Sequence, residues 1–226
     1  MDEEINTISE LIIKNLPKKM SGKEAVLWLK KNTNQWKQME WGGFYFEEFL
    51  FKLLKNRIGG TKGPTFGNTT FDYKKNFIWD FKAHSEKNPL GKKIPWAVMN
   101  DKEAILKCIQ NFGGVGFIMV DFSPVFDYDF SFKDWHDTLK GKKSKYVIKK
   151  DKEGVNKRIR KKEIRFTKIS FIYFNSIEDI LKGYNEKWLK NFQEGMKNSN
   201  DTLRRVKIQC CINKIPKEFI LKEISL

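Results

Sequence analysis

The chain has 226 residues, of which 40% are hydrophobic and 14% aromatic, and 44 basic against 28 acidic residues give it a formal net charge of +16. This apolar content supplies a core and excludes global disorder, and no apolar run approaches the length of about 18 residues that a membrane-spanning helix needs. The excess of positive charge predicts nucleic acid or an anionic membrane surface as a partner, although a lysine-rich composition throughout the source proteome would produce the same excess.

The three cysteines indicate a reduced protein. Their number is odd, and Cys210 and Cys211 are adjacent, which argues against a disulfide framework and for buried thiols. The first residues, MDEEINTISE, are acidic and lack the basic-then-apolar pattern of a secretion signal. We therefore expect a cytoplasmic protein. With two histidines in the chain, a zinc site built from Cys and His pairs is not expected.

Helices are predicted in the first quarter of the chain. Residues 5–16 carry apolar side chains at helical spacing, and Ser21 with Glu24 forms a capping-box pattern that opens a second helix. A third, aromatic-rich helix covers residues 43–56.

Two glutamates lie on this third helix. Glu47 flanks the apolar stripe, whereas Glu48 points almost directly away from it. A functional acid should face the rest of the domain from the edge of the stripe, so we favour Glu47 and keep Glu48 as the alternative. The next residues, 59–68, hold four glycines and a proline and are predicted to form a loop.

The segment TTFDYKKNFIWDFKAHS, residues 69–85, predicts a two-stranded hairpin. Alternation on its second strand places Asp80 and Lys82 on one face and aromatic side chains on the other, with Asp72 of the first strand across from Asp80. Two carboxylates and a lysine are costly to bury without a partner, and Mg²⁺ is a natural one. The same pattern also fits a surface hairpin with an ordinary cross-strand ion pair.

The next elements predict an α/β arrangement. Residues 102–111 form a helix capped by Asp101 or Asn100, and the continuous apolar run at 115–122 is typical of a strand buried on both faces. Residues 131–139 form a short helix that carries His136.

A basic segment, residues 140–168, then interrupts the apolar pattern. It is either a solvated surface loop or, because apolar residues are interleaved, a partly ordered arm that closes on a polyanion. A strand is expected at 164–174, overlapping the end of this segment. It is followed by a helix from Ser176 to about residue 197, a strand at 203–212, and a short helix or strand at 217–226.

Glu47 on a helix, followed by Asp72 and then Asp80-Phe81-Lys82, resembles the PD-(D/E)xK nucleases, and type II restriction endonucleases in particular. Phe71 stands where that family has a proline before the first acid. The resemblance implies an α/β fold with a restriction-endonuclease-like core, in which helices flank a central mixed β-sheet, and a basic insertion. We expect one nuclease domain over residues 1–226, with a helical part at 1–42, a catalytic core at 43–122 and a basic DNA-binding arm at 140–163.

The resemblance also implies a function. Asp72, Asp80 and the carbonyl of Phe81 would hold Mg²⁺, Lys82 would assist hydrolysis of a DNA phosphodiester, and Glu47 would bind a second metal ion or a metal-bound water. The expected substrate is double-stranded DNA at a specific short sequence. A homodimer and a companion DNA methyltransferase are expected partners.

Recognition of DNA is assigned mainly to the basic arm. Its cations would neutralise phosphates, and arginine, lysine or asparagine side chains could read base edges; His136 and Asn100 could equally act as local caps. The candidates for DNA contact are Lys142, Lys143, Ser144, Lys145, Arg158, Arg160, Lys161, His136 and Asn100.

Two other functions fit the same sequence. One is a structure-specific nuclease of the same fold that repairs DNA or resolves junctions. The other is a basic nucleic-acid-binding protein without catalytic activity, in which the hairpin acids are structural. A membrane-surface protein is the least favoured, because no basic amphipathic helix stands out.

Overall fold

The structure is a computed structural model that describes residues 1–64, 70–141, 148, 158–198 and 200–226. The helices that position the site are α1 (Asp2–Asn15), α2 (Gly22–Asn32), α3 (Trp41–Ile58), α4 (Lys102–Phe112), α5 (Ser131–Leu139) and α6 (Ile177–Asn185). The strands are β1 (Lys19–Ser21), β2 (Thr61–Lys62), β3 (Tyr73–Lys74), β4 (Ile78–Ser85), β5 (Trp96–Asp101), β6 (Val115–Phe126), β7 (Lys161–Phe174), β8 (Leu189–Phe192), β9 (Lys207–Cys211) and β10 (Ile220–Ser225). None of the described helices has the length and apolar character to cross a membrane.

The main sheet is mixed. Its strand order is β1-β7-β6-β4-β3-β2, and β10 also pairs with β7. Strands β4 and β6 are parallel, while β6 and β7, like β3 and β4, are antiparallel. A second, antiparallel sheet has the order β5-β9-β8. The predicted α/β class with a central mixed sheet flanked by helices is therefore confirmed.

Alternating side chains of the central strands build one core on each face of the main sheet. On β6, Ile118 and Val120 pack with helices α1, α2 and α3, whereas Phe117 and Met119 pack with α4, α6 and the second sheet. Both faces of β6 are buried, as its continuous apolar run predicted. The three cysteines are unpaired and buried, also as expected.

The hairpin of β3 and β4 is fixed through its aromatic face. Trp79 is fully buried, and its Nε1 donates to Oε1 of Glu4 on α1 at 2.9 Å, while Oε2 of the same glutamate accepts from the Asn76 amide in the turn. Gly116 on β6 pairs with Trp79, and a Cβ at this position would lie 2.3 Å from the indole ring. The missing side chain leaves room for the indole ring, and alternation along β4 points the next residue, Asp80, at the opposite face.

Two expectations for the secondary structure need correction, and one strand was not predicted. The helix expected from Ser176 to about residue 197 ends at Asn185, because Lys187 takes a left-handed turn (φ 61°) and Leu189 folds back against Gly183. Leu189 and Phe192, whose apolar side chains favour a longer helix in the sequence, belong instead to β8. Strand β5 was not foreseen, since its partner β9 lies about a hundred residues away and local sequence carries no sign of that pairing.

The cap of α4 also differs from the prediction. The side chain of Asp101 makes no cap hydrogen bond and instead pairs with Arg205 at 3.4 Å and Lys207 at 3.8 Å. The Lys102 amide donates to the Val206 carbonyl at 2.8 Å, so the chain before β9 satisfies the first turn of the helix.

Candidate active site

The hairpin brings Asp72, Asp80 and Lys82 together. The Phe81 amide donates to Oδ2 of Asp72 at 2.6 Å, which places this carboxylate beside the backbone between Asp80 and Lys82. Lys82 Nζ donates to Oδ1 of Asp80 at 2.8 Å and to the Phe81 carbonyl at 3.1 Å. Phe81 itself is buried in the core on the other face, so its backbone alone reaches the site.

These residues open into a cleft of about 320 Å³ between α3, the hairpin and the second sheet. Glu47 and Glu48 of α3 line it together with Asp72, Asp80 and Lys82. The other polar residues that line the cleft are Thr33, Gln35, Lys62, Thr70, Asn100, Asp101, Arg205 and Lys207. Acids that could hold a cation therefore share one cleft with cations that could contact phosphates.

Asp80 is buried, with 2% of its surface exposed. Burial raises the pKa of its carboxyl well above the ordinary value; the charge of Lys82 opposes this effect, and the charge of Asp72 adds to it. Oδ2 of Asp80 is also buried and accepts no hydrogen bond from the described residues, and a hydrogen bond with the neighbouring Asp72 carboxyl, which requires one of the two acids to be protonated, raises the pKa further. A carboxylate oxygen in this state is unfavourable unless a ligand binds it.

Glu47 and Lys82 respond to the same group of charges. Burial raises the pKa of Glu47 to about 7, and the charge of Asp72 adds to the effect. Burial lowers the pKa of Lys82, but the charges of Asp80, Asp72 and Glu47 outweigh it and hold that pKa above the ordinary range. Lys82 is therefore a cation and a hydrogen-bond donor at neutral pH, which excludes it as the resting base, whereas Glu47 can exchange a proton near neutrality.

The donor set fits Mg²⁺ better than an ion that needs an all-protein cage. Within the described residues, no three His, Cys, Asp or Glu side chains stand close enough to hold a metal ion. Mg²⁺ binds one or two carboxylates and completes its shell with water and substrate phosphate. Asp72, Asp80 with its unpartnered Oδ2, and the Phe81 carbonyl match that requirement.

The pKa of Glu47 makes stability depend on pH. A carboxyl whose pKa rises from 4.5 to about 7 on folding contributes stability that is complete below pH 4.5 and is lost as the pH rises through 7. Glu47→Gln imitates the protonated form. At pH 8 we therefore expect its free energy of unfolding to exceed that of the unsubstituted protein by on the order of 2 kcal/mol, whereas at pH 4.5 the two proteins should have similar stability. Urea unfolding in EDTA at both pH values measures this difference.

Glu48→Gln is the matched control, because Glu48 lies beside Glu47 and pairs with Lys62 at the rim of the cleft at 3.5 Å. It should show no gain at pH 8. An equal gain for both variants, or a gain for Glu47→Gln that does not change with pH, would show that Glu47 does not sense the charges of the site.

The predicted DNA-contacting residues have different surroundings. Lys142, Lys143, Ser144 and Lys145 lie outside the described residues. Arg158 and Lys161 both pair with Glu40, at 2.6 and 2.7 Å, and 62% of the Arg158 side chain is exposed. Both cations line another cleft, next to β4. Asn100 lines the candidate active site, where its Nδ2 donates to the Thr70 carbonyl at 3.1 Å.

The side chains of Arg160 and His136 are buried and have partners inside the protein. Arg160 is 5% exposed and donates to Oδ1 of Asp137 at 3.0 Å, and its second nitrogen lies 3.3 Å from Nδ1 of His136. His136 is fully buried, and its Nε2 lies 2.8 Å from the Trp36 carbonyl, which can only accept. Burial lowers the pKa of His136 to about 4, and the charge of Lys140 adds to the effect. The expectation that these two residues contact DNA is corrected, because their polar groups face one another inside the protein.

Sequence reasoning missed Arg205 and Lys207. They approach the cleft from the chain that enters β9 and pair with Asp101. No local motif marks them, because long-range pairing of β5 with β9 brings them to the site.

No protein-family model matches the chain, and no curated protein matches it in sequence. Among solved structures, the restriction endonuclease BglI bound to its DNA recognition sequence is similar to this chain, with 10% sequence identity and a TM-score of 0.39. The match covers 99% of this chain and 88% of that chain.

Proposed function

We propose that the protein is a Mg²⁺-dependent endonuclease that hydrolyses phosphodiester bonds of double-stranded DNA at a specific short sequence, as a type II restriction endonuclease does. One observation carries the proposal: Asp72, Asp80 and Lys82 meet in one cleft beside Glu47, and the Oδ2 atom of Asp80 is buried there without a partner. An ordinary cross-strand ion pair at a surface would not bury a carboxylate in this way.

Asp72, Asp80 and the Phe81 carbonyl would hold Mg²⁺. When bound, Mg²⁺ supplies polarisation of the scissile phosphate and a lowered pKa of a coordinated water. Lys82, held as a cation by the surrounding acids, orients the attacking water and offsets the charge that develops on the phosphate. Glu47, with its pKa of about 7, takes a proton from water on the α3 side of the cleft or helps to bind a second metal ion.

Affinity for DNA would come from the net charge of +16 and from cations near the cleft. Arg205 and Lys207 on the rim of the cleft are suited to the phosphates that flank the cleaved bond. The basic arm, including Lys142 and Lys145, would supply further contacts, and replacing its lysines should weaken binding to all sequences and flatten its salt dependence. A homodimer, which matches a palindromic site, and a companion methyltransferase complete the proposal.

Cleavage of plasmid DNA tests the proposal without knowledge of the recognition sequence. The purified protein is incubated with unmethylated supercoiled plasmid in Mg²⁺ or in EDTA, with Asp80→Asn as the inactive control. Sharp fragments that require Mg²⁺ and Asp80 support a restriction endonuclease. Cleavage of four-way junctions but not of plasmid would instead indicate a junction-resolving nuclease. Salt-sensitive binding without cleavage of either substrate would indicate a binding protein without catalytic activity.

A further inference from the structure

A second cleft lies on the same face of the main sheet, beyond the candidate active site. Side chains two apart on a strand share a face, so His84 follows Asp80 and Lys82 along β4, roughly 13 Å from Asp80 at about 3.3 Å per residue. The cleft has a volume of about 380 Å³ and shares no lining residue with the candidate active site. Its contents play no part in the proposed hydrolysis.

Three neighbouring strands contribute one polar side chain each to this cleft. His84 on β4 pairs in register with Asp121 on β6, which pairs in register with Lys168 on β7. Nδ1 of His84 lies 3.0 Å from Oδ1 of Asp121, and Lys168 Nζ lies 3.7 Å from Oδ2 of the same carboxylate. This row is built into the sheet, because the strand register fixes all three positions.

The imidazole of His84 has one nitrogen that nothing in the described chain satisfies. A carboxylate only accepts hydrogen bonds, so Nδ1 carries the proton that it donates to Asp121. Nε2 is buried and has no partner among the described residues, although His84, 8% exposed, lines the cleft. A buried polar atom without a partner is unfavourable, and a ligand in the cleft would satisfy it.

The charges of the cleft favour an anion. Lys87 and Lys93 face each other across a β-bridge, and both line the cleft together with Lys168, which also pairs with Glu223 of β10 at 2.9 Å. Two acids line the cleft: Asp121, which pairs with His84 and Lys168, and Glu86, which accepts from the hydroxyl of Thr167 at 2.6 Å, so the three lysines outnumber them. A metal ion is disfavoured, because the three lysines would repel a cation.

We propose that this cleft binds a phosphate group, with Lys168, Lys87 and Lys93 supplying positive charge and His84 Nε2 donating a hydrogen bond. His84 takes up one proton at Nε2 when the anion binds, and Asp121 stabilises the imidazolium. The phosphate belongs either to a nucleic-acid backbone that runs past the candidate active site or to a free nucleotide. The proposal does not depend on catalysis, since a binding protein could use the same cleft.

The two histidines of the chain make NMR a direct test. In EDTA, the ring nitrogen resonances of His84 are recorded during titration with inorganic phosphate, with deoxyadenosine monophosphate, or with a DNA duplex. His136 is the internal control, since its Nε2 is taken by the Trp36 carbonyl. We expect the Nε2 resonance of His84 to move towards the protonated position while that of His136 stays still.

The three titrations distinguish the sources of the phosphate. A response to the duplex alone assigns the cleft to the DNA backbone, and a response to phosphate or the nucleotide assigns it to a free ligand. Lys168→Met should weaken the response about tenfold, as expected for loss of a charge-assisted hydrogen bond, whereas Lys182→Met, which removes an exposed lysine paired with Glu218, should not. Asp80→Asn should respond normally even though cleavage is lost. An unmoved His84 at saturating concentrations of all three ligands overturns the proposal.

Discussion

Lys82→Ala should reduce the rate of DNA cleavage at saturating Mg²⁺ by at least about 10²–10³-fold, the usual effect of removing a group that stabilises transition-state charge. DNA binding should change by no more than about threefold, because cations elsewhere on the protein supply most of the affinity. Cleavage should depend on Lys82 because its Nζ lies 2.8 Å from Asp80 and is held in the charged form by three acids. Single-turnover cleavage and a binding titration in Ca²⁺ or EDTA separate the two effects.

Lys62→Ala is the matched control for Lys82→Ala. Lys62 lines the same cleft, but it is half exposed and pairs with Glu48 at the rim. Its loss should lower affinity slightly and leave the rate of the bound complex unchanged. Cleavage by Lys82→Ala at the normal rate would contradict the catalytic assignment. An equal loss of cleavage rate in both variants would show that Lys82 acts only as one of several cations in the cleft.

Asp137→Ala should lower the free energy of unfolding by about 3–5 kcal/mol, since it leaves buried cations without their counter-charge. Lys133 and Arg160, both almost fully buried, lie 3.0 Å from the Asp137 carboxylate, and Lys140 lies 3.5 Å away. The substitution should therefore weaken the packing of α5 against the start of β7. Urea or thermal unfolding at neutral pH measures it.

Asp134→Ala provides the comparison on the same helix. Asp134 also contacts Lys133, at 3.3 Å, but its side chain is 72% exposed, so its loss should cost less than about 0.5 kcal/mol. Similar destabilisation by the two substitutions would contradict the buried network.

The pH dependence of the Asp137→Ala effect gives a second check. Burial raises the pKa of Asp137, but hydrogen bonds from Lys133 and Arg160 and their charges outweigh it and hold the pKa below 3.8. A lowered carboxyl pKa contributes stability that is present above the ordinary pKa and lost as pH falls through the native one. The difference between Asp137→Ala and the unsubstituted protein should therefore be complete at pH 7 and shrink in strong acid.

Features with a local signature could be predicted from the sequence. Alternation along β4 predicted that Asp80 and Lys82 face away from Trp79, and the structure buries the indole on the opposite face. The capping box at Ser21 and the cap at Ser176 begin helices as expected. In both cases the side chains that decide the structure lie within a few residues of each other.

Features decided by distant contacts could not be predicted. Composition places Arg160 among the cations of the basic arm, because it gives charge and not burial. The acceptor that buries Arg160, Asp137, comes from α5. The second sheet depends on pairing β5 with β9, which also carries Arg205 and Lys207 to the cleft. No local pattern marks His84 either, because it is the register of β4 with β6 that places Asp121 beside it.

Mapping the metal ion on the protein tests the account most directly, because it needs no knowledge of the DNA site. Fe²⁺ in place of Mg²⁺, with ascorbate and peroxide, generates radicals that cut the backbone next to the bound ion, and mass spectrometry locates the cuts. We predict cuts near Asp72 and between Asp80 and Lys82, suppressed by excess Mg²⁺ and absent from Asp80→Asn. Cuts centred elsewhere, such as at His84, or cuts that persist in Asp80→Asn, would contradict the proposed site.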